Sequence, residues 1–363
     1  MNYLQIYMAN YINVGHLNNK VINMEKEIKK ILPDGKPSGL SLNQFKIYRT
    51  SNSKWNGVSG EEIYSIKLFR KKFLNIYPQY ELNKDFDVLN FVKENYKNDI
   101  KIWNIIEEIV DGLANIIISL YEADKECVKY NSNLFESDWE FWKKCKYIVL
   151  DGRIILGSLG DEIVKHLSDK LQENLVNIKI LKLSDFTEVD TVSLFGCAHN
   201  NYKMQYVFDF GNSAVKRGVA IKNKKNIEIK VLNPIFHEDF WELEDNLETA
   251  MYIDKFICNI ILETISEINE KTEDIINISL CIANNILNNK IANRGSYRFL
   301  RLIADNYKIH LSKKLSEELK KIVNVHIYND AEAVGRIFTD FSPDTAVITL
   351  GTMFGIAYPP RKE

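Results

Sequence analysis

Apolar residues recur at helical spacing along 100–121, where Ile102, Ile105, Ile106, Ile109, Leu113, Ile116 and Ile117 fall on one face. That stripe predicts the longest helix of the chain and marks a packing surface. A second stripe (Met251, Ile253, Phe256, Ile257, Ile260, Ile261, Ile265) predicts a helix over 247–268. Shorter helices are expected at 23–32, stopped by Pro33, Asp34 and Gly35, and at 59–75, opened by Ser59 with Glu62 three residues on. Further helices are expected at 88–95, 161–172, 191–200, 311–322 and 331–338. Residues 2–14 mix polar and apolar positions without a clean period and read as a strand or short helix leading into Gly15 and His16; 34–60 read as loops around one short element.

Short buried runs with strand character lie at 146–150, 177–183, 226–232, 275–282, 323–328 and 345–350. Between 206 and 220 two apolar runs are joined by Asp209, Gly211, Asn212 and Ser213, the signature of a β-hairpin. From the hairpin onward, strands and helices alternate, which predicts an α/β architecture. The strands end in polar or glycine residues: Asp151 and Gly152, Asn284, Asn329 and Asp330, and Gly351. Ligands of open α/β sheets sit at that edge.

With 363 residues the chain can hold two lobes, each with its own core. A hydrophobic share of 45% beside 26% charged residues fits a soluble globular protein. The net charge of −2 leaves no electrostatic footprint for nucleic acid or an anionic membrane, so neither is expected as a partner. Five scattered cysteines without a CxxC pair argue for reduced thiols, hence a cytoplasmic setting. No secretory leader and no apolar run of membrane-spanning length is read from the sequence.

The strand-end residues define a candidate chemistry. A carboxylate at the end of a strand, followed by a glycine that lets backbone amides approach, suits a Mg²⁺-phosphate site; Asp209 and Gly211 are so arranged. Asp330, after Asn329 at the end of a strand and before a helix, reads either as a base or as a helix cap.

Taken together, Asp209 to Ser213, Asn329 and Asp330, Gly351 to Gly355, and Asp151 and Gly152 with Gly157 and Gly160 resemble the motifs of the actin, hexokinase and acetate kinase superfamily, and within it the ROK-type sugar kinases. The resemblance implies a two-lobed actin-like ATPase (ribonuclease H-like) α/β fold with a nucleotide cleft between the lobes. It implies ATP and Mg²⁺ as cofactors, with Asp209, Gly211, Asn212, Ser213, Gly351, Thr352, Gly355 and Gly152 binding the nucleotide and Asp209 serving the metal. Asp330 would be the catalytic base, and Asn329, Asn284, Asn13 and His16 would face a hydroxyl substrate, a sugar by analogy. Met353 and Phe354 stand where the family has small residues, which implies a narrower phosphate loop. The family's zinc-binding cysteine segment is missing, and Asn13 replaces a glutamate ahead of His16.

The motif order departs from the family. There the hairpin comes first and the adenosine turn late; here the turn at 146–160 precedes the hairpin, and the chain stops just after Gly355. A circular permutation accounts for this, with residues 1–203 as a substrate and adenosine lobe and 204–363 as a phosphate-binding lobe. The function expected is an ATP-dependent phosphotransferase acting on a hydroxyl group, with a homodimer as a possible assembly. An actin-like ATP-binding switch or assembly protein, and a degenerate sugar-sensing module, are the competing readings.

Overall fold

The computed structural model describes residues 26–50, 54–83, 86–186, 191–198, 201–223, 226–268, 274–287 and 290–360. The turn at Pro33–Gly35 forms as expected, with Gly35 at φ 85°, a left-handed value that glycine adopts without a Cβ penalty. Its flanks are extended instead of helical: β1 (Lys30–Ile31) pairs antiparallel with β2 (Pro37–Ser38). Ile31 is exposed while Leu32 is buried, the alternation of a strand. The described end of the helix expected over 23–32 is therefore one arm of a tight hairpin.

The capping box at Ser59 is real, its backbone N–H donating to Glu62 Oε2 at 2.8 Å. Helix α1 (Gly60–Ile63) stops after one turn, and Ser65 caps a separate helix, α2 (Ile66–Ile76), by accepting from the Leu68 N–H. Next come α3 (Val88–Asn95), α4 (Ile100–Glu122), α5 (Lys125–Tyr130) and α6 (Glu136–Lys144). The stripe on α4 is fully buried. It shares one core with the inward side chains of β3 (Tyr147–Asp151) and β4 (Lys179–Lys182), which α7 (Gly157–Glu173) connects. Each such fully buried aliphatic side chain contributes roughly 1.5–3 kcal/mol, so this shared core makes the helical layer and the sheet one folding unit.

A short helix, α8 (Val192–Cys197), leads into β5 (Met204–Phe210), β6 (Ala214–Lys222) and β7 (Ile227–Phe236), an antiparallel meander. Helix α9 (Leu247–Ile268) then crosses to β8 (Ile275–Ile282). A small hairpin of β9 (Asn284–Leu287) and β10 (Lys290–Gly295) follows, which the sequence reading lacks. Helix α10 (Tyr307–Leu319), β11 (Ile322–Asn329), α11 (Asp330–Arg336), β12 (Thr345–Leu350) and β13 (Phe354–Ala357) complete the chain.

The result is a mixed α/β protein whose two larger sheets share a layout. In the five-stranded sheet the order is β11-β8-β5-β6-β7: β5 pairs antiparallel with its hairpin partner β6 on one side and parallel with β8 on the other. In the four-stranded sheet the order is β13-β12-β3-β4: β12 pairs antiparallel with its hairpin partner β13 and parallel with β3. In the first sheet the hairpin comes first along the chain; in the second it comes last.

This corrects the division at residue 203. Thr345–Thr349 runs in parallel register with Tyr147–Asp151, so the final two strands belong to the sheet of the first half, not with 204–336. The loop at Asn43 is also stitched to β13. Asn43 Nδ2 donates to the Phe354 carbonyl at 2.8 Å, and its Oδ1 accepts from Phe354 N–H at 3.1 Å.

Candidate functional site

Asp209 is the penultimate residue of β5. The turn Gly211–Ser213 closes the hairpin so that Phe210 pairs with Val215 and Asp209 lies directly opposite Lys216. Residues opposite one another in an antiparallel ladder share a face, so Lys216 stands on the same face of the sheet as Asp209. Both Asp209 carboxylate oxygens accept side-chain hydrogen bonds: Oδ2 from Ser193 Oγ at 2.6 Å, and Oδ1 from Cys281 Sγ at 3.4 Å. Cys281 remains a donor because its contact with the Cys197 thiol, together with burial, pushes its own pKa well above the usual thiol value.

The helix-cap reading of Asp330 is settled by Asn329. Its Oδ1 accepts from the N–H groups of Ala331 and Glu332, making it the N-cap of α11, and its Nδ2 donates to the Asn284 carbonyl and to Asp330 Oδ1, both at 2.8 Å. With both ends of its amide committed, Asn329 is a scaffold residue, where a substrate contact was expected. Asp330 is thereby released from the cap position to the first helical residue, its carboxylate open to solvent. Water reaches it, yet the surrounding protein removes much of its outer hydration. That desolvation, with the neighbouring Asp209 charge adding to it, pushes the Asp330 pKa up to about 6; the Ala331 N–H, Lys30 and Asn329 act in the opposite direction. Glu332 is raised by burial as well, against the charges of Arg336 and Lys30.

The second sheet delivers the end of β3 to the same region. Burial raises the Asp151 pKa, and Lys216 and Asp209 lie near enough for their charges to act on it, the first lowering it and the second raising it. Gly152 holds φ 122°, and an added Cβ would sit 2.3 Å from the Leu350 carbonyl oxygen. This close approach sets the β12–β13 turn beside Asp151. Gly351 and Thr352 are exposed in that turn. Its outer side is pinned by Tyr64, whose hydroxyl donates to the carbonyls of Leu350 and Gly351, and by Ile66 N–H, which donates to the Thr352 carbonyl. Phe354 does not narrow the turn: it is buried and packs on the Tyr64 ring with centroids 5.2 Å apart.

Asp209, Asp151, Gly152, Gly351, Thr352 and Asp330 are thus brought to neighbouring strand ends, with Gly211, Asn212 and Ser213 in the hairpin turn beside Asp209. Gly355 lies within β13 opposite Thr349, where an added Cβ would meet Thr349 Oγ1 at 2.0 Å, so its lack of a side chain serves sheet packing. Asn284 is buried and occupied, its Nδ2 donating to the Ala292 carbonyl and its Oδ1 accepting from Asn285 N–H, which makes it a support for Asn329. Arg153 is an exposed residue paired with Asp87 at 2.8 Å. Asn13 and His16 lie outside the described residues.

Among the described residues no group of three or more His, Cys, Asp or Glu side chains could hold a metal by itself. A hard divalent cation that keeps most of its waters and takes further oxygens from phosphate needs only one carboxylate. Asp209 supplies that oxygen chemistry, so the donor set fits Mg²⁺ bound together with a phosphate ligand. Lys216, Ser193 and Cys281 are members of the site that sequence reasoning missed, whereas Asp151 was read there only as part of a strand-end turn. Lys216 was within reach, because a hairpin turn of fixed length puts residues 209 and 216 opposite each other; Ser193 and Cys281 carry no local signal. No helix among the described residues is long and apolar enough to cross a membrane.

No family model matches the chain, and no curated protein matches its sequence. Among solved structures it is similar to the PPX-GPPA enzyme of Aquifex aeolicus, at 11% identity and a TM-score of 0.20, over 34% of this chain and 36% of that one. It is also similar to a type II variant of the Aquifex aeolicus Ppx/GppA phosphatase, at 9% identity and a TM-score of 0.21, over 36% of this chain and 38% of that one. The chain spans little more than a third of the length of either.

Proposed function

We propose that the chain is an ATP-dependent phosphotransferase acting on a hydroxyl group, with a sugar as the acceptor class, built on a circularly permuted actin-like fold. The observation that carries this reading is that Asp209 lies near enough to both Asp151 and Asp330 for its charge to act on each, the three standing at strand ends of two sheets. The permutation is supported by the shared layout of the two sheets and by the hairpin that comes last in the second. On that reading β12, β13 and residues before 204 make one lobe, and β5 to α11 the other.

When bound, Mg-ATP supplies the phosphoryl group and part of its neutralising charge. The chain's own residues position and polarise, which is most of what phosphoryl transfer asks of a protein. Asp209 would hold the hydrated cation, and Lys216 would offer a positive charge beside it. The turns Gly211–Ser213 and Gly351–Met353 would bind the phosphates, and the Gly152 turn the nucleoside. Asp330 accepts the proton of the attacking hydroxyl, a role worth roughly 10²–10⁴-fold in rate. Its raised pKa suits that task, since a base works best when its pKa lies near the operating pH.

The test is ADP release from Mg-ATP by the purified full chain across a panel of sugars and other hydroxyl compounds. Release that depends on one acceptor class supports the reading. ATP-dependent sedimentation without any acceptor requirement would favour an assembly protein instead.

A further inference from the structure

The side chains around Asp209 are arranged as a clamp. Cys281 pairs in parallel register with Asp209, so the two are neighbours on one face of adjacent strands. Ser193 comes from α8, and one helical turn later Cys197 donates to the Phe208 carbonyl at 3.6 Å. Residues four apart on a helix share a face. Ser193 and Cys197 therefore lay α8 along the end of β5, one holding a side chain and the other the adjoining backbone. All three donors are buried, Ser193 at 7% exposure and both cysteines at 0%. The seat of α8 is fixed on its far side too. Gly196 lies against Ala333 of α11, where an added Cβ would be 1.6 Å from the carbonyl oxygen, and Arg336 Nε donates to the Gly196 carbonyl at 2.9 Å.

Resting on the phosphotransferase reading, we propose that Ser193 and Cys281 are positioning residues that lock the Asp209 carboxylate so that it receives a divalent cation through the cation's waters. One donor engages each carboxylate oxygen, Ser193 at Oδ2 and Cys281 at Oδ1. The carboxylate cannot rotate without breaking one of them. The Ser193 bond is the stronger, because a hydroxyl donating to a carboxylate is charge-assisted at 2.6 Å, whereas a thiol is a weak donor. Outer-layer donors of this kind tune metal affinity by roughly 10–100-fold.

The experiment is calorimetric titration of the full chain with ADP, with and without Mg²⁺, alongside electron paramagnetic resonance of Mn²⁺ binding in the presence of ADP. Ser193→Ala should weaken metal-dependent ADP binding by roughly 10–100-fold, leave metal-free ADP binding unchanged, and be rescued by Ser193→Thr. Cys281→Ala should have a smaller effect in the same direction, and Cys281→Ser should restore affinity. Wild-type Mn²⁺ and Mg-ADP affinity in both alanine variants would overturn the proposal while leaving the phosphotransferase reading intact. Absence of metal-dependent ADP binding in the unaltered chain would overturn both. Should an alanine variant fail to fold, the donor-preserving Ser193→Thr and Cys281→Ser still decide: metal-dependent ADP binding near that of the unaltered chain supports the clamp, and its loss in them contradicts it.

Discussion

Asn329 donates to Asp330 Oδ1 at 2.8 Å while its own side-chain oxygen caps α11, so one residue holds the helix start and aims the neighbouring carboxylate. Asn329→Asp keeps the capping oxygen but replaces the donor with a second negative charge. The oxygen in the donor's place would face the Asn284 carbonyl and Asp330 Oδ1, both acceptors, so the variant should lose stability in denaturant melts as well as activity. Asn329→Ala should cost about 1–2 kcal/mol of stability through the lost cap, read by denaturant melts, in addition to lost activity.

The Asp330 pKa of about 6 fixes the direction of two pH effects. As a base it must be ionised, so kcat/KM should rise with pH through about 6 and level off above it. The stability effect has the opposite sign. A carboxyl whose pKa is higher in the folded protein than in the unfolded chain contributes stability below its ordinary value of 3.8, and that contribution is lost as pH rises through about 6. Asp330→Asn should therefore raise the melting temperature relative to the unaltered protein at pH 7.5 and make little difference near pH 4.5.

Lys216 acts on the charge of Asp151 and stands opposite Asp209. Lys216→Met should raise the KM for Mg-ATP by roughly tenfold, the size of about 1.4 kcal/mol of lost electrostatic binding, with a smaller effect on acceptor KM. Equal changes in both constants would place Lys216 outside the phosphate region.

Gly152 is held at φ 122° against the Leu350 carbonyl. Gly152→Ala combines a strained backbone with a collision and should cost at least about 2 kcal/mol in chemical denaturation. Gly351→Ala is the comparison: an added Cβ there would come no nearer than 4.0 Å to the Met353 carbonyl oxygen, so stability should change little.

The parts legible in the sequence are those set by local periodicity and turn chemistry. The helix 247–268 and the strands 275–282 and 345–350 fall where the pattern predicts them, because each buries a continuous face. The hairpin at Asp209 was legible from its glycine and polar turn. The motif order also left a trace, since the late position of Gly351 matches a hairpin that enters its sheet last. What could not be read depends on contacts distant in sequence. Nothing near 23–32 reveals that Lys30 and Ile31 pair across the Pro33 turn instead of coiling. Asn329 looked like a substrate contact because a cap and a ligand-binding amide use the same residue type, and only the bonds to Ala331, Glu332 and Asn284 separate them. Ser193 is held to Asp209 by the seating of α8 on α11, a tertiary contact that no spacing rule encodes.

The most direct measurement of the central claim, that Asp209 and Asp330 serve one phosphotransfer site, compares acceptor-dependent ADP release and Mg-nucleotide affinity in the unaltered chain, Asp330→Asn and Asp209→Asn. Release should fall by roughly 10²–10⁴-fold in Asp330→Asn with nucleotide affinity retained, and both should fall in Asp209→Asn. Full acceptor-dependent release in Asp330→Asn, or unchanged metal-nucleotide affinity in Asp209→Asn, would contradict the account.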